Sequence, residues 1–211
     1  YERVDGEGTE RQVAAAKEAG VRRFLYLSGA GTREGRAEPW FRAKIRAEKA
    51  VRESGTDWTI FRPSWIFGPQ DQSLNRFALF ARVSPVVPII GTGRETVQPV
   101  FVDDVATLVA RALNLAASYG KILEIGGEPL TMREIVRTML SVQRKRRFVL
   151  AQPKPLMKAI ASVVQHLPSR PLTVDGIDFV TMEEAVDTSA LLAVLPDARL
   201  RSLRDGLSTY L

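Results

Sequence analysis

The sequence predicts an α/β fold: a parallel sheet followed by a smaller, mostly helical part. Three observations predict it. Helical and strand-like stretches alternate over the first third with short connections, which is the pattern of parallel sheets covered by helices. The strand-like stretches are short apolar runs without polar alternation, as expected of strands packed on both faces. Glycine and proline mark the helix stops and starts. With 211 residues, 45% of them hydrophobic, the chain is long enough for one large domain, or one domain and a small appendage.

A first helix ends near Ala19; Val13, Ala14, Ala15 and Ala16 favour it and Gly20 stops it. Residues 23–28 follow as a strand closed by Gly29. Pro39 opens a second helix over residues 40–54, and Gly55 stops it. Residues 58–61 form the next strand, ended by Arg62-Pro63. Residues 74–81 read as helix, and Pro85 and Pro88 interrupt what comes after. Gly91-Thr92-Gly93 is a turn. Residues 97–102 read as a strand, placed at an edge by Pro99. Asp103 or Asp104 caps a helix running to about residue 115. Residues 122–125 are a short strand before Gly126-Gly127, and Thr131 with Glu134 forms a capping box opening another helix. Residues 147–151 read as strand, and helical patterns fill 155–164, 175–182 and 202–210.

Composition excludes several chemistries. Zero cysteines remove disulfides, thiolate zinc sites, iron–sulfur clusters and cysteine nucleophiles. A single histidine, His166, leaves no histidine-rich metal site and argues against a Ser-His-Asp triad, and no metal site is expected. No apolar run approaches the roughly 18 residues of a membrane span. The formal charge of +6 suits an anionic ligand or surface without indicating nucleic acid.

Three glycine pairs resemble dinucleotide loops only superficially. Gly6-x-Gly8 and Gly91-x-Gly93 have Arg11 and Thr96 where the third glycine belongs. Gly29-x-Gly31 follows a strand, but Glu34 stands third and the helix waits until Pro39. A pyrophosphate cradle needs strand, tight turn and immediate helix, so that free N–H groups meet the phosphates.

The pair Trp40 and Lys44 is more specific, since four residues apart they share a helix face. The spacing resembles the Tyr-x-x-x-Lys motif of short-chain dehydrogenase/reductases, with Trp40 in the tyrosine's place. Three more segments resemble extended members in order: Gly20-Val21-Arg22-Arg23-Phe24-Leu25-Tyr26-Leu27-Ser28, Arg62-Pro63 through Gly68-Pro69, and Val102-Asp103-Asp104-Val105. Phe41 to Glu48, Leu74-Asn75-Arg76-Phe77 and Pro171-Leu172-Thr173 resemble the atypical branch, similar to NmrA-like regulators and to the accessory reductase-like subunit of respiratory complex I.

The resemblance implies a partial Rossmann-like parallel sheet, its C-terminal strands, over residues 1–128, and the smaller helical domain over 129–211. It implies a cytoplasmic protein binding NADP or NAD through Ser28, Gly29, Lys44, Pro63, Ser64 and Ile66. Lys44 is the one member of the catalytic set retained; Ala30 stands at the serine position and Trp40 at the tyrosine's. Trp40 has no titratable proton near neutral pH, so the usual proton transfer is in doubt. Tyr26 could replace it, although its strand reads as core. Arg94 and Gln98 fall where extended members face substrate, or are ordinary loop residues. Three functions stay open: structural or sensing use of NAD(P)H, an active epimerase, dehydratase or reductase, and an interaction module.

The chain begins at Tyr1, where the resemblance expects the helix before the fifth strand. It therefore implies the C-terminal part of a longer fold, without the glycine-loop half. That would leave one edge of strand 23–28 open to a protein partner or a second copy. Arg144-Lys145-Arg146-Arg147 reads as a polar connector rather than a peripheral membrane contact. The amphipathic stripe Leu156, Met157, Ile160, Val163, Val164 and Leu167 reads as core-facing.

Overall fold

A computed structural model describes residues 1–166 and 173–211. Leu167, Pro171 and Leu172, which entered the sequence reading, lie outside the described residues. In chain order the helices are α1 (Glu7–Glu18), α2 (Pro39–Arg52), α3 (Leu74–Val83), α4 (Val102–Ala112), α5 (Met132–Val142), α6 (Lys154–Val164), α7 (Val174–Val180), α8 (Ser189–Val194) and α9 (Leu203–Ser208). The strands are β1 (Arg23–Leu27), β2 (Asp57–Pro63), β3 (Ile66–Phe67), β4 (Val86–Ile90), β5 (Thr96–Val97), β6 (Val100–Phe101), β7 (Lys121–Ile125), β8 (Leu130–Thr131) and β9 (Phe148–Gln152). The chain is a mixed α/β protein with parallel sheets, as the alternation predicts.

Two compact units divide it. One is Tyr1–Ile66, Val100–Gly127 and Ala185–Leu200; the other is Phe67–Pro99, Glu128–Glu184 and Arg201–Leu211. The division differs from a single cut after residue 128. Residues 67–99 join the later stretch because β4 finds its partner strand in β9.

In the first unit, β1, β2 and β7 form a parallel sheet in that order, with Leu27 opposite Phe61 and Arg62 opposite Glu124. Successive β2 side chains point to opposite faces. Ile60 packs with Val13 and Val51 beneath α1 and α2, beside Phe24, Tyr26 and Trp58. Phe61 points the other way and packs with Leu123 and Ile125 against Val105, Leu108 and Ala112 of α4 and Leu191 of α8. Among the described residues β1 pairs only with β2, and its side chains are half-buried from Arg23 to Tyr26 and exposed at Leu27. Arg23 ties this edge down. Its Nη2 donates to Thr59 Oγ1 at 2.8 Å, Ala112 O at 2.9 Å and Ser118 Oγ at 2.9 Å.

Two local expectations are corrected here. The strand at 97–102 is broken: Gln98 and Pro99 belong to neither β5 nor β6, because proline has no N–H for a ladder. The cap of α4 is Phe101, two or three residues earlier than expected, and Asp103 and Asp104 sit in the first turn, where a negative charge favours the helix dipole.

In the second unit, β4 and β9 pair in parallel, with Val86 opposite Phe148 and Pro88 opposite Leu150. Pro88 is tolerated because β4 has only this one neighbour among the described residues. Val87 and Ile89 are buried with Leu74, Ala78, Ile135 and Met139 of α3 and α5. The predicted capping box opens α5: Glu134 N donates to Thr131 Oγ1 at 3.2 Å, and Thr131 N donates to Glu134 Oε2 at 2.8 Å. The stripe on α6 is not core-facing: Leu156, Ile160 and Val163 are exposed, and among the described side chains of α6 only Ala161 is fully buried.

Candidate functional site

The three parallel strands of the first unit end level with one another. Beyond β1 lie Ser28 and Gly29, beyond β2 Ser64, and beyond β7 Gly126 and Gly127. The register continues past the strand ends: Ser28 N donates to Phe61 O at 2.7 Å, Ala30 N to Pro63 O at 2.8 Å, and Ser64 N to Ile125 O at 2.8 Å. Ser28, Gly29, Pro63 and Ser64 are thus brought together on one edge, the carboxyl edge of a parallel sheet. In open α/β sheets that edge is where ligands bind. Ile66 follows just beyond and is half-buried.

These N–H groups already have carbonyl partners, so they form no phosphate cradle. A Cβ on Gly29 would meet nothing within 4 Å, so the loop itself is open. The edge therefore fits a flat ring better than a pyrophosphate. Ser28 is buried, with Oγ 3.4 Å from Thr32 Oγ1, and Thr32 donates to Gly29 O at 2.8 Å, which stiffens the loop.

Lys44 lies on α2, whose first residues begin the return from this edge. Its Nζ is 3.1 Å from Asp5 Oδ1 and 5.5 Å from the centre of the Tyr26 ring. An ammonium has three donors, so one ion pair leaves capacity for a ligand hydroxyl. Asp5 was invisible to sequence reasoning, because nothing local links it to a residue 39 positions away. Tyr26 is half-buried, and burial pushes its phenol up although Lys44 pulls it back. A raised phenol is a poor donor to a reacting carbonyl at neutral pH. Trp40 packs edge-on against Tyr1 at 6.2 Å and beside Phe41 at 5.9 Å, so its indole sits in an aromatic cluster.

Sequence reasoning also missed a buried ion network one turn further along α2. Glu48 is only 2% exposed and accepts two hydrogen bonds from Arg62, at 2.9 and 2.7 Å. Arg62 Nη1 lies 3.8 Å from Glu124 Oε1. Burial works against the Arg62 charge, but Glu48 and then Glu124 outweigh it and hold it above its ordinary value. The Arg62-Pro63 segment was read for its resemblance alone; its arginine locks α2 to β2 and β7 behind the site.

Arg94 and Gln98 belong to the second unit. Arg94 is exposed on the Gly91-Thr92-Gly93 turn, and its N donates to Thr92 Oγ1 at 3.1 Å; Gln98 is half-buried. Glu95 holds the turn, accepting from Thr92 N and Gly93 N at 2.7 Å each. Partial burial opposes its charge, but those N–H groups prevail and keep its carboxyl below the usual range. A lowered native value means the turn is fully held above the ordinary carboxylate pKa of about 4.3 and released as pH falls through the native one. Amide protection at Thr92 and Gly93 is therefore expected to be constant from neutral pH to about 5 and to fall below about 4. Protection lost already at pH 6 would contradict this.

Among the described residues no group of three metal-ligating side chains occurs, and no helix is long and apolar enough to cross a membrane.

Residues 2–114 match the model of a family described as NAD(P)H-binding. The chain is 31% identical over 203 residues to the mitochondrial NADH dehydrogenase [ubiquinone] 1 alpha subcomplex subunit 9 of Arabidopsis thaliana, covering 90% of this chain and 50% of that protein. It is 29% identical over 156 residues to the ceramide reductase of Caulobacter vibrioides, covering 74% of this chain and 49% of that one. The chain thus spans about half the length of these curated relatives. Among solved structures, MoeE5 in complex with UDP-glucose and NAD superposes with a TM-score of 0.77 at 18% identity, over all of this chain and 70% of that one. At that identity the likeness concerns the fold.

Proposed function

The chain belongs to the NAD(P)H-binding family, within the atypical short-chain dehydrogenase/reductase superfamily, and from that premise we propose that it receives the nicotinamide half of NAD or NADP for structural or sensing use. The observation that carries this is the level carboxyl edge of β1, β2 and β7, with Lys44 on the helix that returns from it. Lys44 would donate to the nicotinamide ribose while Asp5 fixes its direction. Ser28, Gly29, Pro63, Ser64 and Ile66 would border the ring. Arg94 and Gln98 are proposed for the substrate-facing side, on their sequence position. When bound, the dinucleotide supplies a hydride donor or acceptor. This chain's residues would orient it without an efficient proton partner, since Trp40 cannot titrate and the Tyr26 phenol is pushed up.

The relatives support a cofactor-holding role in a larger assembly, since one is described as a subunit of an NADH dehydrogenase. We keep a cytoplasmic place as part of the proposal, although that subunit is described as mitochondrial. The NmrA-like assignment and a protein partner along the open edge of β1 likewise belong to the proposal. A second reading, an active reductase, is favoured by the ceramide reductase relative and would make Tyr26 the acid.

Titration of this chain with NADPH and NADH, followed by cofactor fluorescence, tests the first reading. Binding is expected, with Lys44→Ala weakening it about tenfold, the size of one lost hydrogen bond to a charged group. A folded chain that binds neither nucleotide would end the proposal. Steady-state NADPH oxidation with a carbonyl substrate, abolished by Tyr26→Phe, would replace it with the reductase reading.

A further inference from the structure

The second unit exposes apolar side chains where its own ladder would let it hide them. Phe148 is 79% exposed and Leu150 is 52% exposed, while Val87 and Ile89 of the paired strand are fully buried. The β4–β9 pair therefore has an inner face packed on α3 and α5, and an outer face made by Val86, Pro88, Phe148 and Leu150. After a single residue, Pro153, the chain enters α6, where Leu156, Ile160 and Val163 are exposed at helical spacing.

The stretches of chain that carry these residues have charge of one sign, and Asp178 of α7 is an acid that meets them. From Gln72 to Arg94 there are three arginines and no acid, and from Ile135 to Val174 eight cations and no acid. These two stretches carry eleven positive charges in a chain whose net charge is +6, so the remainder is net negative. Of the cations next to the exposed face, Arg144 and Arg146 are exposed and Lys145 half-buried. Arg147 is held inward by a hydrogen bond from Nε to Ala81 O at 2.9 Å. Lys154 and Lys158 share Asp178, at 3.0 and 2.8 Å.

Arg144 carries a second signal. It ends α5 with φ of 54°, the left-handed position where glycine is usual, with Lys145 N donating to Leu140 O at 2.9 Å. An arginine there keeps a charge at a conformational cost.

We propose that the outer face of the β4–β9 pair, together with α6, docks this unit on an anionic lipid membrane. Exposed aromatic and aliphatic side chains would enter the headgroup boundary, and Arg144, Lys145 and Arg146 would meet the lipid phosphates. The cations Arg144, Lys145 and Arg146 beside exposed apolar side chains complement such a surface.

Sedimentation with vesicles tests this, using phosphatidylcholine alone and phosphatidylcholine with roughly a third phosphatidylserine. The chain is expected to bind the anionic vesicles only, and less at high salt. Phe148→Ser is expected to weaken binding about tenfold. Arg144→Gly is expected to weaken it about fivefold while the melting temperature holds or rises, because glycine relieves the left-handed residue. Equal binding to both vesicle types, no binding by a folded chain, or binding indifferent to both substitutions would overturn the proposal. So would a dimer abolished by Phe148→Asp in a chain that ignores vesicles.

Discussion

Glu48→Ala is expected to destabilise the first unit by about 3–5 kcal/mol, because it leaves Arg62 charged, partly buried and without its bidentate partner. The side chain of Arg62 is 17% exposed and that of Glu48 2%. Glu124 is a poor substitute at 3.8 Å, since it meets one nitrogen at the limit of an ion pair. For a chain of this size the change corresponds to a fall in Tm on the order of 10 °C. The pair Glu48→Leu with Arg62→Leu is expected to recover most of the loss, because burying two charges is itself costly. Thermal or urea unfolding measures both. A Glu48→Ala variant within 1 kcal/mol of the parent would mean that water reaches Arg62 and the network is only superficial.

This network shows where sequence reading stops. The elements on either side of it were legible because their signals are local. Pro39 at the start of α2, Gly55 after its end, and the apolar run of β2 need no knowledge of neighbours. The Thr131–Glu134 box is likewise complete within four residues. β4 was missed because Pro85 and Pro88 argue against a strand, and only pairing with residues 148–152 makes an edge strand tolerable. The α6 stripe was read correctly as amphipathic, but periodicity states only that a face exists, not what covers it. The same limit holds at the site. That Lys44 shares a helix face with Trp40 follows from spacing; that Asp5 meets it depends on how α1 and the turn before it pack on α2. The carboxyl edge was legible in outline, since parallel strands must end on the same side. That its N–H groups are consumed by carbonyls was not, because register is set by long-range pairing.

The opposite face of the sheet carries the second large effect. Phe61 is fully buried on the central strand and packs with Val105, Leu108, Leu123 and Leu191. Phe61→Ala is expected to cost about 3–5 kcal/mol, the lost transfer energy plus the space left behind. Phe61 also borders a groove of about 250 Å³ with Leu25, Leu27, Ile66, Val102 and Val105. The new space would therefore open into an existing one, and water could enter it, which favours the lower end of that range. Phe61→Leu should lose much less, because it keeps most of the apolar volume. Ser28 N bonds to the Phe61 carbonyl and not to its ring, so the leucine variant should keep the carboxyl edge in register and bind nucleotide as the parent does. Glu48 and Phe61 act on opposite faces of β2 and share no partner. Their effects should therefore add to within about 0.5 kcal/mol when Glu48→Ala is combined with Phe61→Leu. A clear departure from additivity would mean that β2 shifts as a whole when either face is loosened. Lys44, one turn from Glu48 on α2, would then owe its position to the core beneath β2 as much as to Asp5.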